Sequence, residues 1–340
     1  MKDKITLNVP EKFRGESYNY IEYNGPWIEE YFYKYWQKMQ KRDIKRIYIP
    51  IFWTNYYHKH GLDKKHDKVQ EFIDKNIESD KKYFTIVQDG DGIREKIPPN
   101  VLVFGAGGRG DIPIPLIKEI KPKNKKKDIL CSFMGLLEWS SNRTRVRSKM
   151  FNALKDKKGF YFNYGDIKDF VDITSRSVFT LCPRGYGRTS FRLYESMALG
   201  SIPIYIWDDI EWLPYKDKLD WNEFSISINI KEIDKLPEII KNHNTEIIKK
   251  KQKKLKEVYD KYFTLKGTSE QIIKMLKINQ YEHLKINDKI PLYWKQKFWF
   301  TKIYDKIYRI LDRKIGIGIF LKNNFPRLFV FLKKIQKKIY

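Results

Sequence analysis

The sequence predicts an α/β protein of two doubly wound α/β domains facing a cleft, followed by a basic amphipathic helical extension at the C-terminus. Three observations predict it. Apolar strand-like runs alternate with helical periodicity up to about residue 120, the same theme restarts after a lysine-rich interruption, and past residue 275 the chain turns basic and aromatic. At 340 residues, 41% of them hydrophobic, the chain can bury two cores. The expected divisions are a first domain at 1–120, a linker at 121–127, a second domain at 128–275 and a tail at 276–340.

In the first half, helical periodicity covers Trp27 to Gln40 and Val69 to Ile77, while Arg46 to Phe52, Lys82 to Gln88 and Asn100 to Phe104 read as strands. The run Lys121-Pro-Lys-Asn-Lys-Lys-Lys127 breaks the pattern and makes the linker. Strands resume at Ile129 to Phe133, Phe160 to Tyr164, Val178 to Cys182, Ile202 to Ile206 and Phe224 to Ile228. One lysine-rich amphipathic helix is expected over Leu236 to Tyr262. Cys131 and Cys182 both fall in apolar strand patterns, so they offer neither a disulfide framework nor a nucleophile and suggest a reducing cytoplasm. The N-terminus has no signal-peptide core, and no apolar run reaches the roughly 18 residues of a spanning helix.

The most informative stretch is Cys182-Pro-Arg-Gly-Tyr-Gly-Arg-Thr-Ser-Phe-Arg-Leu-Tyr-Glu195, ending at Gly200 and followed by the strand Ser201 to Ile206. It reads as strand, glycine loop, helix and strand. Helix N-termini expose unpaired N–H groups, and glycine lets a backbone approach a ligand, so an anion is expected here. Arg184, Gly185, Tyr186, Gly187 and Arg188 would surround it, with Thr189 or Ser190 capping the helix. Arg192 and Glu195 follow on the first turns. The plainer reading of those two, a helix-surface ion pair worth about 0.3 kcal/mol, leaves the glycines and the other two arginines unexplained.

Over Ser177 to Ile206 this segment closely resembles the signature of the exostosin-like glycosyltransferases, which build polysaccharides from nucleotide sugars on a two-domain GT-B scaffold. A weaker resemblance runs through Ile129-Leu-Cys-Ser-Phe-Met-Gly135 to Arg143, Arg145 and Arg147, so that about 128–210 is covered. The resemblance implies a GT-B-like fold, a nucleotide-sugar donor, taken as a UDP-sugar, and a glycan or glycolipid acceptor. It also implies inversion at the anomeric carbon, with arginines rather than a divalent metal neutralising the diphosphate. Arg184, Arg188, Arg192 and the loop amides would hold the phosphates, Glu195 the ribose, and Arg143 or Arg147 a second clamp.

A base for the acceptor is less defined. Asp89-Gly-Asp91 ends a strand and imitates a metal-binding Asp-x-Asp; it reads equally as a turn or as the base. Gly105-Ala-Gly-Gly-Arg-Gly110 matches a dinucleotide fingerprint, but Pro113 and Pro115 oppose the helix that must follow it. A turn, or a loop facing the cleft with Arg109 or Asp111 near the acceptor, remains. His58, His60 and His66 lack partners at metal-binding spacing and read as an exposed loop, and no metal site is expected. Glu138, Asp208 and Asp209 sit at strand ends, as ligands or caps.

The net charge of +26 calls for an anionic partner. Between Pro291 and Tyr340, 13 Lys or Arg stand against Asp305 and Asp312 and alternate with twelve aromatics. That composition suits an anionic membrane surface, and hence a peripheral protein on the cytoplasmic face; a solvated helical extension is the plainer reading. No nucleic-acid-binding motif is present. Two rivals to a transferase stand: a catalytically inactive glycan- or nucleotide-binding module, and a basic nucleic-acid-binding protein.

Overall fold

The computed structural model describes residues 5–20, 23–40, 43–61, 66–121, 123, 125–137, 145–164 and 168–278. Arg143, Glu138 and nearly all of the tail expected at 276–340 lie outside them. The described residues belong to one compact unit, 1–286; the second unit, 287–340, lies outside the description.

Within the first unit the order is α1 (Ile28–Lys38), β1 (Ile47–Tyr48), α2 (Trp53–His60), α3 (Asp67–Asn76), β2 (Tyr83–Val87), β3 (Val101–Gly105) and β4 (Ile112–Pro113). There follow β5 (Ile129–Met134), α4 (Val146–Leu154), β6 (Phe160–Asn163), α5 (Phe170–Arg176), β7 (Ser177–Pro183) and α6 (Phe191–Ala198). The last elements are β8 (Ile202–Trp207), β9 (Ile226–Asn229), α7 (Leu236–Lys241), α8 (Thr245–Tyr262) and α9 (Leu265–Ile278). Two wholly parallel sheets result, ordered β1-β2-β3-β4 and β6-β5-β7-β8-β9. This is the two-sheet α/β architecture expected from the sequence.

The strands are near-continuous apolar runs because both faces are covered. One core lies over the second sheet, with Phe133, Phe179, Leu181 and Ile204 under Val146, Met150 and Leu236. A larger core joins Phe84, Ile86 and Phe104 of the first sheet to Leu193, Tyr194 and Met197 of α6 and to α8 and α9. Helix α9 returns to pack on α1. The two halves are therefore welded by shared apolar surface.

Several expectations need correction. The strand expected over Arg46 to Phe52 stops at Tyr48, since Pro50 has no N–H to continue the ladder and Trp53 opens α2. The helix expected over Leu236 to Tyr262 is two helices, because the Asn244 side chain accepts the Ile247 N–H at 2.9 Å and starts a new one. The histidines are not a loop: His58 and His60 lie in the last turn of α2, and His66 is buried at the start of α3. Glu29 of α1 is fully buried and accepts from the Thr54 hydroxyl at 2.6 Å and the Gln88 N–H at 2.7 Å. Burial pushes its carboxyl up to about 8, and its bonds tie α1 to the chain entering Asp89.

Candidate active site

In the second sheet β5 lies between β6 and β7, so the chain leaves β5 first to one side and later to the other. Ligands of such sheets bind outside the carboxyl ends of the strands at that reversal. Those ends are Met134-Gly135 on β5 and Pro183-Arg184 on β7, the latter leading into the glycine loop and α6. Geometry thus selects the same corner as the residue types.

Two guanidinium groups occupy it. Arg147, from the first turn of α4, donates to the Leu136 carbonyl at 2.9 Å and the Arg184 carbonyl at 3.4 Å. Arg192, from the first turn of α6, lies over the Phe133 and Phe170 rings at 5.0 and 5.5 Å, and its Nε is buried without a hydrogen-bond partner. Among the described residues neither has a carboxylate within ion-pair distance. Burial, with Arg192 as a like-charged neighbour, pushes Arg147 down to about 10, and burial likewise lowers Arg192. Two guanidinium groups, each lowered by burial and Arg147 lowered further by Arg192, make a place for an anion. Gly135, at φ +143°, admits this arrangement, because a Cβ there would stand 2.5 Å from Arg192 Nη2.

The start of α6 adds donors. Ser190 holds the N-cap position, yet its side chain makes no capping bond, correcting the expectation that it or Thr189 caps the helix. Both Ser190 Oγ and Thr189 Oγ1 are buried without partners. Glu195 is buried one turn further on, with Lys118 Nζ 3.9 Å from its carboxylate. Its carboxyl is raised by burial, against the opposing pull of Arg192 and Lys118.

The other two signature arginines do something else. Arg184 donates to Asp208 at 2.5 Å, to Asp209 at 2.7 Å and to the Gly187 carbonyl at 3.0 Å; Arg188 donates to Asp209 at 2.9 Å and the Gly108 carbonyl at 3.1 Å. The expectation that both grip an anion is corrected, since carboxylates already engage them. Their pull holds the Asp209 carboxyl below its ordinary range. Asp208 and Asp209 are thus ion-pair partners, which nothing in their own sequence neighbourhood revealed.

Gly187 is corrected too. A Cβ on it would lie 1.8 Å from the Gly107 carbonyl oxygen and 3.0 Å from Gly90 Cα. Gly108, at φ +118°, leaves room for the Arg188 backbone, where a Cβ would come within 2.3 Å of the nitrogen. The Asp89-Gly-Asp91 turn, the loop after β3 and the signature loop therefore interlock backbone against backbone. A Cβ on Gly185 would lie 3.4 Å from the Thr189 carbonyl oxygen and 3.6 Å from Arg147 Nη2.

Of the candidate bases, Asp89 is buried, pairs with Arg94 at 3.2 Å, and accepts the Asp91 N–H at 2.8 Å. Asp91 accepts the Tyr186 hydroxyl at 2.5 Å and so touches the signature loop. Asp111 accepts the Val103 N–H at 2.8 Å and closes the turn after β3. Asp89 and Asp91 share Arg94, whose Nη2 stands 3.2 and 3.9 Å from their carboxylates. Cys131 and Cys182 are buried, and burial pushes the Cys182 thiol up to about 12. No group of three or more His, Cys, Asp or Glu able to hold a metal occurs among the described residues.

Residues 105–243, which include the loop after β3, the signature loop, Arg147, Arg192 and Glu195, match the exostosin GT47 domain family. This segment is similar to an exostosin GT47 domain. Over 128 residues the chain is 30% identical to a protein of Arabidopsis thaliana named "Probable glucuronoxylan glucuronosyltransferase", covering 36% of this chain and 28% of that one. It is 31% identical over 110 residues to a "Probable beta-1,4-xylosyltransferase" of the same plant, covering 32% and 26%. A "Probable glucuronosyltransferase" of Oryza sativa matches at 30% over 141 residues, 39% of this chain and 34% of that one. The match thus spans about a third or less of each curated relative. Among solved structures, a glycosyltransferase from Rickettsia africae superposes with a TM-score of 0.38 at 10% identity, covering 74% of this chain and 81% of that one. The pneumococcal O-GlcNAc transferase GtfA, solved with UDP and GlcNAc, gives 0.36 at 14% identity, covering 67% and 48%. The matched segment includes β4 through α7; the residues before 105, with Asp89, Asp91, β1, β2 and most of β3, lie outside it.

Proposed function

We propose that this protein is a glycosyltransferase that moves a sugar from a nucleotide sugar, a UDP-sugar, to a glycan or glycolipid acceptor in polysaccharide synthesis. The observation that carries the reading is the Arg147–Arg192 pair at the crevice between β5 and β7, without an ion-paired carboxylate among the described residues, with Glu195 one turn along α6. As the glycosidic bond breaks, charge collects on the diphosphate, and fixed cations aimed there lower the barrier. Arg147, Arg192, the Ser190 hydroxyl and the first N–H groups of α6 suit that task, so the reading expects no need for a divalent metal. Glu195 suits the two ribose hydroxyls, because a carboxylate is a strong acceptor and disfavours phosphate. Asp91, tied to the signature loop through Tyr186, is the preferred base for the acceptor hydroxyl in a single inverting displacement. The relatives' names, glucuronosyl- and xylosyltransferases of plants, support donors of that kind.

The test is a thermal-shift screen of UDP-, GDP- and CMP-sugars with and without Mg2+ or Mn2+. A UDP-sugar should raise Tm equally in both, and Glu195→Gln should weaken its binding about tenfold, the loss of hydrogen bonds to a charged acceptor. Failure of every nucleotide sugar to stabilise the protein would sink the reading. The tail's basic and aromatic composition supports a further part of the proposal, peripheral attachment to the cytoplasmic face of an anionic membrane. Co-sedimentation with phosphatidylserine vesicles should fall steeply with salt and vanish when 291–340 is removed; salt-insensitive or tail-independent binding would contradict it.

A further inference from the structure

We propose that Tyr20, supplied from outside the exostosin domain, closes the donor site and donates a hydrogen bond from its phenol to the diphosphate. The inference rests on the donor-site reading above. Although about 170 residues upstream, the Tyr20 ring sits on Phe191, with centroids 5.3 Å apart, and Phe191 immediately precedes Arg192. Trp27 reaches the same Phe191 ring at 5.5 Å.

The segment holding Tyr20 is fixed in place. Tyr18 is sandwiched between Trp27, at 4.6 Å and 10° between ring planes, and His58, at 3.9 Å and 3°. The Trp27 indole N–H donates to the Tyr18 carbonyl at 3.0 Å, and the Ser17 hydroxyl donates to Glu30 at 2.6 Å. Tyr20 and Tyr23 exchange backbone hydrogen bonds of 3.0 and 3.1 Å. A residue anchored on both flanks loses little freedom on meeting a ligand.

Packing accounts for the ring but not for the hydroxyl. Among the described residues the Tyr20 hydroxyl has no hydrogen-bond partner, and Arg147, Arg192 and Glu195 are the charges that act on it. Burial raises its pKa while the two arginines pull it down, so at neutral pH the phenol keeps its proton and is a donor. The acceptor missing from this group of donors is an anion lying between the guanidinium groups, which is the position given to the diphosphate. Sequence reading could not find this residue, since nothing local marks Tyr20 apart from its neighbouring tyrosines.

The experiment uses the full-length protein, with inorganic pyrophosphate and UDP as probes in isothermal titration. Tyr20→Phe, which keeps the ring on Phe191, should leave Tm unchanged and weaken both probes about tenfold, the scale of a hydrogen bond to a charged acceptor. Arg192→Ala is measured beside it. If Arg192→Ala loses the probes and Tyr20→Phe binds them within twofold of the parent, Tyr20 has no such role and the donor site stands. If neither variant changes binding, the donor-site reading fails together with the proposal. Should Tyr20→Phe lower Tm, the parent protein carrying 13C-tyrosine decides: the Tyr20 ζ-carbon should shift on adding pyrophosphate, and an unmoved resonance overturns the proposal.

Discussion

Replacing Arg192 by alanine should reduce kcat/KM for sugar transfer by about a hundred- to a thousandfold, the usual cost of deleting one fixed donor to developing charge. Stability should hardly change. The side chain lies on the Phe133 and Phe170 rings, a contact worth about 2 kcal/mol in a desolvated setting, but its removal also lifts the cost of burying a charge and relieves the neighbouring cation at Arg147. With that neighbour gone, the Arg147 guanidinium should regain proton affinity lost to it. Steady-state kinetics beside a thermal melt separate the two effects. A variant within threefold of the parent enzyme would show that the diphosphate docks elsewhere.

Gly187→Ala should act on the fold. The added methyl would meet the Gly107 carbonyl oxygen at 1.8 Å and Gly90 Cα at 3.0 Å, backbone atoms in two other loops that have no rotamer to change. Overpacking of this kind costs about 3 kcal/mol. For a chain of this size that is a fall in Tm of roughly 4 °C. Gly185→Ala, two residues earlier, meets nothing nearer than the Thr189 carbonyl at 3.4 Å and should melt within about 2 °C of the parent. Its Cβ would stand 3.6 Å from Arg147 Nη2, so any effect belongs to anion binding. Equal melting temperatures for the two variants would show that the glycine interlock is not rigid.

The contrast within one loop shows how far the residues could be read unaided. Arg-Gly-Tyr-Gly-Arg marks an anion loop by type, and the position of α6 after it was legible from Pro183, from the apolar spacing of Leu193, Tyr194 and Met197, and from Gly200. Which arginine faces a ligand was not legible. Arg184 and Arg188 are drawn off by Asp208 and Asp209, more than 20 residues away, while Arg147 and Arg192 have no carboxylate within ion-pair distance among the described residues. The candidate base divides in the same way: Asp111 is spent on the Val103 N–H, whereas Asp91 reaches Tyr186 across the interlock.

What the chain determines by itself is what short-range sterics and burial decide: the short strands of two parallel sheets among the described residues apart from β4, the helix that carries Arg192 and Glu195, and the break where the lysines begin. These follow from side-chain periodicity, from proline's missing N–H and from glycine's freedom, each a matter of a few neighbouring residues. Only the tertiary structure decided which charges neutralise one another, which glycine makes room for backbone rather than ligand, and that Tyr20 stands over α6. Such outcomes depend on separations through space of about 3 to 5 Å between residues up to 170 positions apart, a length scale on which Coulomb attraction and excluded volume act and linear order carries no information.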